Sequence, residues 1–220
     1  MSEENLPHRA TGGSSAAGAA AAKIALRDQI LAARRRRPLT ESADLAAETA
    51  RHLLANPQVR RAATVAAYVS VGREPGTGLL LDHLLDLGKR VLLPVLLPDN
   101  DLDWAAYAGA HDLHPAGRGM LEPSGPRLGI DAVATADVVL VPGLAVSPAG
   151  VRLGRGGGSY DRALGRVPVG TFTCVLLHPD EVGLAVPTEP HDRSVGAAAT
   201  GLGITELGAG PVTGPITGPD

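Results

Sequence analysis

Four stretches of the chain are close to continuously apolar rather than alternating: residues 64–69, 91–94, 137–141 and 171–177. A strand apolar on both faces is one covered on both sides, as in a parallel sheet. Residues 102–107 alternate weakly and predict an edge strand, and residues 194–200 predict a last short one. Helical spacing fills the intervals. A helix opens at Lys23, with Ile24, Arg27/Asp28 and Leu31 in step, and closes in Arg34–Arg37 before Pro38. Thr40 is positioned to cap a second helix, with Glu41 in its first turn, that ends at Asn56-Pro57. Thr77 is positioned to cap a leucine-rich helix stopped by Gly88, and Tyr160-Asp161-Arg162 reads as the start of another. Residues 109–136 carry no clear period. The order strand, helix, strand implies right-handed crossovers and an α/β sandwich. A single domain is expected over residues 23–205, after a disordered Ser/Gly/Ala lead at 1–22 and before a flexible Gly/Pro-rich tail at 206–220. Sites in such sheets lie beyond the carboxyl ends of the strands. The loops at 70–76, 142–159 and 178–192 each follow a predicted strand and are expected to converge there.

Composition narrows the picture. At 220 residues the chain can bury one sizeable core, but aromatics are only 2%, so that core must be built from Ala, Leu and Val. A formal net charge of -3 gives no global electrostatic case for nucleic acid. Cys174 is the single cysteine, which excludes an internal disulfide and fits a reducing, cytoplasmic setting. With no apolar run long enough to span a bilayer, no membrane association is expected; a monomer is expected. The run Arg34–Arg37 reads as a solvated helix end rather than an RNA or phosphate patch.

The chemistry-bearing stretch runs from Val141 to Arg162. Gly154, Gly156, Gly157 and Gly158 surround Arg155, with Arg152 just before and Ser159-Tyr160-Asp161 just after. Glycines let a backbone approach an anion, arginines supply charge and donors, and Asp161 offers a divalent-metal ligand. The loop is not a Walker loop, because Gly158 precedes Ser159-Tyr160 rather than Lys-Ser/Thr. Nor is it a dinucleotide fingerprint, because position 159 is Ser and the loop lies far past Val141. Composition alone leaves a phosphate site and an ordinary glycine-rich turn both open. His111, His114, His178 and His191 match no compact zinc spacing. Ser147 lacks the surroundings of a hydrolase nucleophile, and Cys174 sits mid-strand as a packing residue.

Several segments in order resemble the 5-formyltetrahydrofolate cyclo-ligase family. They are Lys23-x-x-Leu-Arg27, Tyr68-Val-Ser with Glu74 and Thr77, Lys89-Arg-Val-Leu-Leu-Pro94, Gly119-Met-Leu-Glu-Pro123, the Pro142-Gly-Leu-Ala-Val and Gly150–Leu164 signature, and Glu189-Pro-His-Asp192. The resemblance covers about residues 23–205. It implies a Rossmann-like three-layer sandwich with a mostly parallel central sheet. It also implies an ATP- and magnesium-dependent ligase that converts 5-formyltetrahydrofolate to 5,10-methenyltetrahydrofolate.

Under that resemblance Lys23, Arg27, Arg152, Gly154, Arg155, Gly156, Gly157, Gly158, Ser159 and Tyr160 fall on the nucleotide site. Arg27, Val71, Glu74 and Tyr160 fall on the folate site, Arg155 and Tyr160 where the two meet, and Asp161 and Asp192 on the magnesium ligands. The chain departs from the family pattern at Gly76, Val146, Ser159 and His178, all expected to touch the folate pocket. Trp104 is expected either in a pterin pocket or in strand-edge packing. Two rival functions remain open: a phosphometabolite enzyme such as a sugar-phosphate isomerase, and a non-catalytic metabolite sensor.

Overall fold

The structure, a computed structural model, describes residues 13–208, with side chains from residue 18 onward. Helix α1 spans Gly13–Arg36, α2 Leu39–Ala55 and α3 Pro57–Arg61. Strand β1 (Thr64–Ala66), α4 (Gly78–Asp86), β2 (Arg90–Leu96) and β3 (Leu102–Ala106) follow. A hairpin of β4 (Leu113–Pro115) and β5 (Leu121–Pro123) occupies the region without a period, ahead of a 3-10 helix at Ile130–Thr135. Then come β6 (Val138–Pro142), a second hairpin of β7 (Ala145–Val146) and β8 (Arg152–Leu153), α5 (Ser159–Leu164), β9 (Phe172–Leu176), β10 (Ala197–Thr200) and β11 (Gly203–Glu206). No helix among the described residues is long and apolar enough to cross a membrane.

The main sheet has the order β11-β10-β9-β6-β1-β2-β3. Its five inner strands are parallel, and antiparallel strands close both edges. The register explains the continuous apolar runs. Val65 pairs with Val91 and Val138, and Leu140 with Cys174; these residues face α2, α3 and α4 through Leu53, Val59, Leu80 and Leu84. The alternate residues Ala66, Leu92, Val139, Val141 and Val175 face α5 and the 3-10 helix through Val133, Ala163 and Leu164. This is the expected three-layer α/β sandwich. Small residues set the spacing on the β10 side: a Cβ on Gly201 would lie 2.5 Å from Leu45 Cδ2 and 3.0 Å from its Cα, so α2 approaches closely only over glycine.

Several expectations are revised. The first helix starts at Gly13, not Lys23, because the Ala-rich segment before Lys23 has high helix propensity and continues it; residues 1–12 lie outside the described residues. Thr40 lies inside α2, whose N-cap position is Pro38 with no side-chain cap. Asn56 instead caps α3, accepting from Gln58 N (2.8 Å) and Val59 N (3.4 Å). Thr77 stands at the N-cap of α4, but its hydroxyl accepts from Ser70 N (2.9 Å), tying the 70–76 loop to the helix start. The strand β11 falls partly where the tail was expected; residues 209–220 lie outside the described residues. Trp104, 1% exposed, packs in the core under β3 and does not reach a ligand pocket.

Candidate active site

Helix α1 crosses the carboxyl ends of the parallel strands. Its inward face mixes cations with apolar side chains: Ile30, with Leu26 and Leu31 beside it, packs on Leu144, Ala145 and Leu153, while Lys23 and Arg34 are buried and Arg27 half-buried. Only a surface rich in anionic partners can take such a face.

Arg34 finds its partners below the site. Its guanidinium grips Glu181 through Nε and Nη2, both at 2.7 Å, and Nη2 also donates to the Gly143 carbonyl at 2.7 Å. The two side chains are 1% and 3% exposed. Arg37 pairs with Asp180 and Glu41. The run Arg34–Arg37 is thus a solvated helix end only at Arg35 and Arg36, which are exposed. Two of its members dock α1 onto the loop after β9, and Arg34 also reaches the loop after β6.

Lys23 is likewise not a surface charge. Its ammonium donates to Glu189 Oε2 (2.6 Å) and to both oxygens of Asp192 (2.9 and 2.8 Å). Burial alone would lower the lysine pKa, but the two carboxylates outweigh it and raise it. Burial likewise opposes ionisation of Asp192, yet Lys23 and the Glu189 amide hold its carboxyl below the usual range. Glu189, His191 and Asp192 bring one ligand atom each within 4.8 Å of one another. Histidine spacing had not pointed to His191; its place beside two carboxylates comes from the turn at 189–192. Asp161 stands outside this cluster. It is paired with Arg152 (3.1 Å) and accepts from Arg193 N (3.3 Å).

The loop between β8 and α5 forms the other wall. Gly156 and Gly158 adopt φ of +99° and +68°, values that L side chains rarely take. Arg27 Nε donates to the Gly154 carbonyl at 2.9 Å, so α1 braces the loop. Arg152 is buried; it reaches the Pro142 carbonyl and Asp161, and lies 5.8 Å from the Tyr160 ring centroid. Arg155 is 55% exposed and pairs with the nearly buried carboxylate of Glu74 at 3.0 Å. With only six residues in α5, the helix end contributes little dipole, and the side-chain cations supply most of the positive field. Burial and the neighbouring Glu74 charge push the Tyr160 hydroxyl up, so it stays protonated.

These walls enclose a cleft of about 1040 Å³. Lys23, Arg27, Val71, Glu74, Arg152, Gly154, Arg155, Gly156, Gly157, Gly158, Ser159, Tyr160, Asp161 and Asp192 all line it. Apolar side chains, Val69, Pro94, Leu96, Leu102 and Met120, share the lining with these charged groups and with Arg118, Glu122 and Arg162. Of the four departures from the family pattern, only Ser159 lines the cleft. A Cβ on Gly76 would lie 3.1 Å from Ala46 Cβ, Val146 is core, and His178 is buried with its amide bonded to Glu181. Their expected contact with the folate pocket is not found. Sequence reasoning passed over Arg34 and Glu181, which carry no motif. It also passed over Glu189, although its position three residues before Asp192 was a signal.

A family model for 5-formyltetrahydrofolate cyclo-ligases matches residues 19–201. The chain belongs to the 5-formyltetrahydrofolate cyclo-ligase family. It is 46% identical over 134 residues to the 5-formyltetrahydrofolate cyclo-ligase of Mycolicibacterium smegmatis, covering 59% of this chain and 69% of the relative. It is 34% identical over 135 residues to the cyclo-ligase of Escherichia coli (strain K12), covering 59% and 74%. The structure of Aquifex aeolicus 5,10-methenyltetrahydrofolate synthetase shares the fold, with a TM-score of 0.74 at 24% identity over 89% of this chain and 97% of that one. The cyclo-ligase family match spans α1 through β10, and so takes in both walls of the cleft.

Proposed function

We propose that the chain converts 5-formyltetrahydrofolate to 5,10-methenyltetrahydrofolate at the expense of ATP, releasing ADP and phosphate. The observation that carries this reading is one cleft lined together by Lys23, Arg27, Arg152, Arg155, the glycine loop, two tyrosines and several apolar side chains, in a chain of this family.

The formyl oxygen is a poor leaving group. It attacks the γ-phosphorus, and ADP departs. N10 of the same folate then attacks the activated carbon and loses its proton, and expulsion of phosphate leaves the five-membered methenyl ring. No protein nucleophile is needed. The chain must align formyl oxygen and γ-phosphate and neutralise the charge that moves between them. Arg27 and Arg155 face the phosphates. Arg152, tied to Asp161 and lying over the Tyr160 ring, positions the tyrosine beside the glycine loop. Glu74 orients Arg155 and presents a carboxylate beside the folate.

The oxygen donors Glu189 and Asp192 suit magnesium, which prefers hard oxygen ligands, whereas Asp161, the other expected ligand, stands apart on Arg152 and Arg193 N. Bound at Glu189 and Asp192, the ion would screen the phosphoryl charge. In this arrangement Lys23 neutralises these two carboxylates, so a metal must compete with a protein cation for them.

The test mixes protein, Mg-ATP and 5-formyltetrahydrofolate and follows methenyltetrahydrofolate absorbance together with ADP release. The expected result is one ADP per methenyl product. Absence of product with ATP binding intact refutes the reading.

A further inference from the structure

Two buried polar atoms of cleft-lining residues have no hydrogen-bond partner among the described residues, Arg152 Nε and the Tyr68 hydroxyl. The rest of the Arg152 guanidinium is held by Pro142 and Asp161, whereas Tyr68 has no other polar side-chain atom. Tyr68 follows β1 by two residues, at the carboxyl end of the strand, and lines the cleft. It is 3% exposed, and its ring packs into the core on the α2/α4 side of the sheet, where Tyr160 also packs. Its hydroxyl is buried and hydrogen-bonded to nothing among the described residues. A buried hydroxyl without a partner destabilises the fold, a cost that a phenylalanine of the same shape would not incur. The neighbouring carboxylate does not relieve it. Glu74 Oε2 accepts from Val71 N at 2.8 Å, and Oε1 is taken by Arg155. The environment defines what the hydroxyl can do. Burial, reinforced by the negative charge of Glu74, pushes its pKa up, so it is a donor throughout the working pH range. The same negative charge makes its surroundings unsuitable for a phosphate oxygen.

We propose that the Tyr68 hydroxyl is a substrate-positioning contact, donating a hydrogen bond to a neutral acceptor, a carbonyl oxygen or ring nitrogen, on the heterocycle of the reduced folate. This rests on the folate reading above and sharpens it. Tyr68 reads the ring and not the phosphates.

The experiment compares wild type with Tyr68→Phe by calorimetric titration with 5-formyltetrahydrofolate and, separately, with a non-hydrolysable ATP analogue, alongside thermal unfolding. Loss of one neutral hydrogen bond predicts folate affinity about three- to tenfold weaker, with ATP-analogue affinity unchanged and the unfolding midpoint unchanged or raised. Equal folate affinities in the two proteins overturn the inference. So does a lowered unfolding midpoint with both ligands weakened alike, which would mark the hydroxyl as structural. Turnover of the wild type is scored independently: folate binding without product overturns the proposed reaction but not the contact. No folate binding by wild type overturns both.

Discussion

Replacing Arg34 with Met tests whether the inward face of α1 is held by its buried ion pair. The substitution keeps most of the side-chain volume but leaves Glu181, 3% exposed, without its countercharge. Breaking a buried pair from one side costs about 3–5 kcal/mol. That is a large part of the total stability of a typical domain, about 5–15 kcal/mol. At about 2–4 °C per kcal/mol for a chain of this size, the unfolding midpoint should fall by about 6–20 °C. The double variant Arg34→Met/Glu181→Leu removes both charges. It still orphans the Gly143 carbonyl and the His178 amide, each worth about 1–3 kcal/mol if buried, but no longer strands a carboxylate. The double variant should therefore be clearly more stable than Arg34→Met alone, with a coupling energy above about 1.5 kcal/mol. Urea unfolding of the four proteins of the cycle, at constant slope, measures this. A single-variant cost below about 1 kcal/mol, or strictly additive costs, would refute the argument.

Two further outcomes follow from the same structure. His178 is buried and its pKa lowered, first by desolvation and also by the nearby Arg37 and Arg34 charges. The unfolded chain therefore takes up the proton first, and this contribution to stability is lost as pH falls below 6.5 toward the folded value. His178→Gln should flatten the urea midpoint between about pH 5 and about pH 8, and an unchanged profile would sink the assignment. Lys23→Met removes the ammonium that competes for Glu189 and Asp192; nucleotide-free protein should then bind Mn²⁺ about tenfold more tightly or better by electron paramagnetic resonance. Unchanged or weaker binding would remove those carboxylates from the metal site.

The sheet was legible because burial on both faces leaves a pattern that needs no partner to be read: Val138 to Val141 can be little else. The glycine loop was legible because Gly156 and Gly158 take backbone angles that L side chains rarely adopt. The inward face of α1 was not. Lys23 and Arg34 look solvated by every local rule, and only Glu189, Asp192 and Glu181, contributed by distant turns, make their burial tolerable. The departures at Gly76, Val146 and His178 were misplaced for a related reason. A position in a loop motif says which loop a residue joins, not whether its side chain points into the cleft or behind it.

The separations of these contacts have a consequence for biosynthesis. Lys23 meets its acceptors 166 and 169 residues along the chain, and Arg34 meets Glu181 after 147. Residues 23–162 already contain the glycine loop and the apolar seat of α1 on Leu144, Ala145 and Leu153, but they lack the carboxylates that neutralise Lys23 and Arg34. While the chain is being made, α1 therefore carries two uncompensated cations over the strand ends until residues 181–192 have left the ribosome. A truncated or stalled chain has the loop without the ion pairs that fix its roof. The last-made part of the described fold turns a glycine-rich surface into an enclosed site.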